Sequence, residues 1–117
     1  MDDFPEFMKN SSNKIDNSSQ YTEDIEGYVY DGLDGSQMAF WRCGTNRESK
    51  EHIHEYDEYL IVAQGCYTVM MNSQKFILNP GDEIFIPKGT AHKGICIAGT
   101  RTIHAFEKKR ANRSISQ

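Results

Sequence analysis

The chain has 117 residues, of which 38% are hydrophobic, which suffices for one domain with its own core but not for two. Its net charge of −4 argues against nucleic acid as a partner, and no apolar run approaches the ~18 residues of a membrane-spanning helix, so we expect no membrane partner either. Three widely spaced cysteines and the lack of a secretory leader predict reduced thiols in a cytoplasmic protein.

The first predicted segment, residues 1–20, is a flexible or docking N-terminal arm. Residues 9–20 are rich in Asn and Ser and have the composition of a mobile stretch. Before them, Phe4, Phe7 and Met8 have the spacing of one apolar face of a short helix. Such a short helix is not stable alone, so if it is ordered, this face must pack against another surface.

Residues 21–110 have the pattern of a single all-β domain. Short runs rich in β-branched and aromatic residues alternate with turn signals built from Gly, Pro, Asn and Asp. Strands are predicted in GYVYDGLDGSQMAFWRC, EYLIVAQ, CYTVMM, MNSQKFIL, EIFIP and KGICIAGTRTIHAF. Strands of about five residues at this spacing are typical of a sandwich or a barrel. The polar, basic end, residues 111–117, is predicted to be a disordered tail.

Two of the four histidines lie close together in the stretch EHIHEYDE. Alternate residues of a strand point to the same face, so His52 and His54 can direct their imidazoles to a single ion. Glu58 follows four residues after His54, where a short turn or bulge would bring its carboxylate to the same point. Further on, GDEIFIPKGTAH places His92 at the start of a strand, after an earlier strand that must end at Pro87.

These two stretches resemble the two conserved motifs of the cupin superfamily. The first, H-x-H-x3-E-x6-G, is matched by His52, His54, Glu58 and Gly65, and the second, G-x5-P-x-G-x2-H-x3-N, by Gly81, Pro87, Gly89 and His92. Two positions depart from the family pattern. Asn46 replaces a glycine ahead of the first motif, and Cys96 replaces the final asparagine, where it should alter only the lining of the barrel. The resemblance implies a jelly-roll barrel built as a double-stranded β-helix, with the site inside it.

The resemblance also implies a metal centre formed by His52, His54, Glu58 and His92. Three imidazoles and a carboxylate suit one divalent transition-metal ion per chain: iron, manganese, nickel, cobalt, copper or zinc. Four protein ligands on an octahedral ion leave two positions for a chelating small molecule. The sequence does not choose among these metals, since the order of affinities does not fix which one is bound in a cell.

The resulting functional hypothesis is a small metalloenzyme, an oxygenase or an isomerase or lyase, that acts on a small oxygen-rich metabolite. The alternative is a non-catalytic module or sensor that binds a metal or a small ligand. In an enzyme, Glu58 and His104 are the candidate catalytic residues. His104 shares a strand face with Thr102 and Phe106, and is either a fourth imidazole inside the barrel or a half-buried strand histidine. Cupins commonly pair, so the resemblance predicts a homodimer with the N-terminal arm packed across the two-fold interface.

Overall fold

Nine β-strands and three short 3₁₀ turns form the regular structure of residues 3–114, the part of the chain that this computed structural model describes. The 3₁₀ turns are Glu6–Lys9, Ser11–Asn13 and Asn17–Ser19. The strands are β1 Ile25–Asp31, β2 Gln37–Cys43, β3 Arg47–Glu48, β4 Glu58–Gln64, β5 Tyr67–Met71, β6 Gln74–Leu78, β7 Glu83–Ile86, β8 His92–Cys96 and β9 Arg101–Phe106. No helix among these residues has the length and apolar character that crossing a membrane requires.

The strands pair into two antiparallel sheets. One has the order β1-β2-β9-β4-β7 and the other the order β3-β8-β5-β6. Burial alternates along the strands, as in β9, where Thr102, His104 and Phe106 are buried and the residues between them are half-buried. This alternation turns one face of each sheet toward a shared interior. The all-β prediction of a jelly roll, a double-stranded β-helix, is confirmed.

The strands reverse where the sequence predicts turns. The β1–β2 hairpin turns in the Gly- and Asp-rich segment 32–36. Asn72 and Ser73 join β5 to β6 with φ angles of 53° and 60°, which is the conformation of a two-residue type I′ hairpin. Strand β7 ends at Ile86, immediately before Pro87, because proline has no N–H to donate to a neighbouring strand.

The motif glycine Gly65 is required by the backbone between β4 and β5. Its φ is +83°, and a Cβ atom at this position would lie 2.5 Å from Thr100 Oγ1 and 2.8 Å from Thr100 Cα. Any other residue would therefore meet both an unfavourable φ and a backbone clash.

Two clusters of apolar side chains form the core. One contains Ile15, Val29, Ala39, Trp41, Phe106 and Ala111. The other contains Leu60, Val62, Val69, Leu78 and Ile86. Members of both clusters line the same internal cavity, so the core also forms the walls of the candidate site.

The N-terminal arm packs on its own barrel. Ile15 is 1% exposed within the first core cluster, and Phe4 is 6% exposed, with its ring edge-on to Tyr28 at a centroid distance of 5.5 Å. Phe7, by contrast, is 77% exposed. The shared helical face predicted for Phe4 and Phe7 is therefore absent. The reason is that the turn formed here, Glu6–Lys9, is a short 3₁₀ turn that begins after Phe4 in the chain.

The sequence predicts a disordered tail over residues 111–117, and residues 111–114 differ from that prediction. Ala111 is 1% exposed and belongs to the same core cluster as Ile15. The backbone N–H groups of Arg110 and Ala111 donate to Gln37 Oε1, at 2.7 and 2.8 Å. These bonds to a buried amide fix the segment, which the polar composition alone did not indicate. Residues 115–117 lie outside the described residues.

Replacing Ile15 with Ala is expected to lower the free energy of unfolding by about 2–5 kcal/mol, because a fully buried side chain would leave a cavity. Urea denaturation of the full chain measures this loss. The matched control is Ile77→Ala, since Ile77 is 60% exposed, and it should change the free energy by no more than about 0.5 kcal/mol. Equal losses in both variants would contradict the packing of the arm in the core.

Candidate metal centre

Three histidines converge inside the barrel, and their ligand atoms lie within 4.8 Å of one another. His92 begins β8, and His52 lies opposite it in an antiparallel bridge with N···O distances of 2.9 and 3.0 Å. This bridge holds the two rings with centroids 4.3 Å apart. The ring of His54 lies 4.9 Å from that of His52 and 5.2 Å from that of His92. The spacing of the three imidazoles is suited to holding one ion.

The prediction that His52 and His54 lie on a strand is wrong. His52 forms only the single bridge to His92, and the backbone at His54 belongs to no strand. The physical reason is topological, since the chain passes here from β3 in one sheet to β4 in the other. A crossing segment cannot keep continuous pairing with either sheet. The imidazoles converge because the crossing bends around the interior, and strand alternation plays no part.

Glu58, the first residue of β4, is 5% exposed and faces these imidazoles. Its Oε1 lies 3.4 Å from Nε2 of His54 and 3.4 Å from Nε2 of His92. Within the described residues, neither Glu58 Oε1 nor His92 Nε2 has a hydrogen-bond partner, although both are buried. Burying a polar atom without a partner costs about 1–3 kcal/mol. A cation between these two atoms would satisfy both, so the residues present fit a metal ion.

Hydrogen bonds on the far side of two rings fix which nitrogen faces the centre. Nδ1 of His52 lies 2.7 Å from the carbonyl oxygen of Lys50, and Nδ1 of His92 lies 2.9 Å from that of Thr90. A carbonyl only accepts, so each Nδ1 must carry the proton and donate it. Each neutral ring therefore directs the lone pair of Nε2 into the site, which is the usual arrangement of a metal-binding histidine.

The electrostatic environment also suits a cation. Burial lowers the pKa of His52 and of His54 to about 4, so both imidazoles are neutral at neutral pH, as metal binding requires. Burial acts to raise the pKa of Glu58, but the hydrogen bond with His104 and the nearby His92 outweigh it and hold this pKa below its usual value. Burial likewise acts to lower the pKa of His92, but the Glu58 carboxylate raises it above the ordinary value. The site therefore holds a buried negative charge that attracts either a proton or a metal ion.

His104 lies inside the barrel, 5% exposed. Its Nδ1 is 2.8 Å from Glu58 Oε2, and its Nε2 is 3.0 Å from Thr102 Oγ1. The edge-on indole of Trp41 lies at a centroid distance of 4.7 Å. His104 thus holds the second oxygen of Glu58 and leaves the first directed at the three imidazoles.

A cavity of about 90 Å³ contains these groups, and all four histidines of the chain line it. Its remaining walls are largely apolar and include Leu60, Val69 and Ile86 from the two facing sheets. Cys96 also lines it, in agreement with the lining position expected from its place in the second motif. Such walls give the centre of the site an apolar surround.

Three further residues of the cavity lining were not predicted as part of the site. The ring of Tyr21 stacks on that of His52, with centroids 3.9 Å apart and an interplanar angle of 14°. Gln20 and Arg110 also line the cavity. No motif or periodicity marks these three residues, which reach the cavity because both ends of the chain pack against the barrel.

Comparison with known proteins settles the family. Residues 39–105, more than half of the chain, match the family model described as the cupin domain. The chain is a cupin. It matches none of the curated protein sequences significantly.

Solved structures with the same fold include enzymes of different kinds. KdgF from Halomonas sp. superposes with a TM-score of 0.68 at 20% identity, over 82% of this cupin and 93% of that chain. The polyketide cyclase RemF from Streptomyces resistomycificus gives 0.65 at 18% identity, over 84% and 76%. A mutant salicylate 1,2-dioxygenase from Pseudoaminobacter salicylatoxidans in complex with gentisate gives 0.67 at 15% identity, over 72% of this chain and 25% of that one. Identities this low establish the shared fold alone.

Proposed function

We propose that this cupin is a metal-dependent enzyme, of the oxygenase or the isomerase and lyase type, that acts on a small oxygen-rich metabolite. The observation that carries the proposal is the pair of buried, unpartnered atoms, Glu58 Oε1 and His92 Nε2, which face each other at 3.4 Å inside a cavity. Buried polar atoms are nearly always paired, and a bound metal ion would satisfy these two facing lone pairs. Two proteins of the same fold are described as a dioxygenase and a polyketide cyclase, so the fold is compatible with such chemistry without fixing it.

The ion would be held by His52, His54, His92 and Glu58, as one divalent iron, manganese, nickel, cobalt, copper or zinc per chain. When bound, such an ion supplies Lewis acidity or redox chemistry next to the cavity. The chain's own contribution is positional. His104 orients the carboxylate of Glu58 through a 2.8 Å hydrogen bond, and the apolar walls supply a surface for the carbon skeleton of the substrate.

Reconstitution tests the proposal. Metal-free protein loaded with each of the six metals in turn is assayed for oxygen uptake and for conversion of hydroxy acids, oxo acids and catechols. We expect turnover with one or two metals and its loss in Glu58→Ala. The control is Glu55→Gln, which changes an exposed carboxylate in the same segment and should leave turnover intact. Metal binding without turnover under any of the six metals would instead indicate the non-catalytic binding module.

A further inference from the structure

Four buried side-chain atoms on the cavity lining have no partner among the described residues, and they form two chemically different pairs. At the metal centre they are the acceptors Glu58 Oε1 and His92 Nε2. Elsewhere on the lining they are N–H donors, Gln20 Nε2 and Arg47 Nε. A cation satisfies the first pair, whereas only an acceptor, such as an oxygen of a bound molecule, satisfies the second.

Trp41 determines the orientation of Gln20. The indole Nε1 can only donate, and it donates to Gln20 Oε1 at 3.1 Å. The amide oxygen of Gln20 must therefore face Trp41, so that its NH₂ group is turned away and is left without a protein acceptor. The donor is thus fixed in place before any ligand binds.

Trp41 also contacts a further N–H donor on the cavity lining, the guanidinium of Arg110. The Cζ atom of Arg110 lies 5.0 Å from the ring centroid of Trp41 and 4.6 Å from that of Tyr21. One Nη1 N–H donates to the carbonyl oxygen of Ser19. No Asp or Glu of residues 3–114 forms an ion pair with Arg110, whereas Arg47, Lys93 and Arg113 all have acidic partners. A half-buried guanidinium held by aromatic faces keeps its remaining in-plane N–H groups available to an anion.

The Arg110 guanidinium lies close to the metal centre, because Tyr21 contacts both Arg110 and His52. Its ring stacks on that of His52 at 3.9 Å and lies under the Arg110 guanidinium at 4.6 Å. A molecule anchored at Arg110 therefore needs only a short backbone to reach the imidazoles, and a volume of about 90 Å³ admits only a small one.

We infer that Arg110 and Gln20 bind the carboxylate of the substrate, which is then a small hydroxy or oxo carboxylic acid with a further oxygen directed at the metal centre. The inference rests on the proposed function for the role of that second oxygen. A guanidinium matches a carboxylate with two parallel N–H···O bonds, and the Gln20 amide supplies a neighbouring donor. Recognition by placed donors of this kind discriminates strongly against a molecule that lacks the acceptor charge.

The test compares acids with their neutral amides. Lactate, malate and pyruvate, each paired with its amide, are titrated by calorimetry into the full chain in metal-free and metal-loaded form. We expect at least one acid to bind at least about tenfold more tightly than its amide, and this preference to disappear in Arg110→Gln and in Gln20→Glu. The matched control is Arg101→Gln, since Arg101 also lies over a ring, that of Phe4 at 4.7 Å, but is not on the cavity lining. It should retain the full preference.

Two further measurements keep the test decisive. Arg110→Lys retains the cation, and should keep part of the preference even if Arg110→Gln proves unstable in thermal unfolding. If no acid binds the wild type more tightly than its amide does, the inference is overturned. A preference for the acid that survives in Arg110→Gln overturns it as well. Metal content is measured separately. Protein that prefers acids through Arg110 but never binds metal would overturn the proposed function alone. Turnover without any preference for acids would overturn only the inference that Arg110 and Gln20 bind a carboxylate.

Discussion

Replacing His92 with Ala is expected to abolish most of the metal-dependent stabilisation of this cupin. A ligand that binds only the folded state stabilises it by about 4 kcal/mol when present at a thousand times its dissociation constant. His92 supplies one of the buried lone pairs without a protein partner, and its tautomer is already set by the 2.9 Å bond to Thr90. Loss of a residue that only hydrogen-bonds to a metal ligand lowers metal affinity roughly 10–100-fold. Loss of the ligand His92 itself should lower the metal affinity by more than that. Thermal unfolding with and without saturating metal measures the difference.

The control for this variant lies next to it on the same strand. Lys93→Ala removes an ion pair with Glu48 at 2.6 Å that is largely exposed, and it should leave the metal-dependent stabilisation unchanged. If His92→Ala gains as much stability from metal as the wild type does, the imidazole is not a ligand.

The second large effect is expected at His104, which we interpret as a positioning residue that acts through Glu58. Its Nδ1 bond to Glu58 Oε2 leaves Oε1 aimed at the imidazoles, so His104→Ala should weaken metal binding about 10–100-fold. Because the effect passes through Glu58, the same substitution should cost little further affinity in a Glu58→Gln background. This double-mutant cycle is read from metal titrations of the four proteins.

A merely structural role of His104 would give a different result. The losses of metal affinity caused by His104→Ala and by Glu58→Gln would then be additive. The reason is that the destabilisation caused by an emptied interior site would not depend on the charge of residue 58. Thr102→Ala provides a milder control, because it removes only the partner of His104 Nε2 and leaves the bond to Glu58 in place.

Local sequence signals predicted the strands and most of the centre for identifiable reasons. Hairpin turns, the strand end before Pro87 and the motif spacing are local features, fixed by residues only a few positions apart. The two readings of His104 could not be separated from the sequence, because they depend on which strand pairs with β9. In the structure β4 does, with Glu58 opposite Phe106 and Leu60 opposite His104, so that the imidazole lies beside the carboxylate.

The part of the cavity lining formed by Gln20 and Arg110 could not be predicted, because it depends on long-range docking. Gln20 lies in a polar stretch that has no apolar pattern, and Arg110 stands at the end of a basic run. Both are brought to the cavity by packing around Ile15 and Ala111, residues that are far apart in the sequence and share one core cluster. The homodimer and the cytoplasmic location stay predictions, and Phe4 packs against Tyr28 of the same chain.

The most direct test of the metal centre is the metal content of the purified chain, measured by elemental analysis after exposure to each of the six ions and dialysis. The structure predicts about one transition-metal ion per chain in the wild type. It predicts none in a variant with His52, His54 and His92 all replaced by Ala, whose fold is checked by circular dichroism. A wild type that retains none of the six ions, or a triple variant that retains a full equivalent, would contradict the assignment.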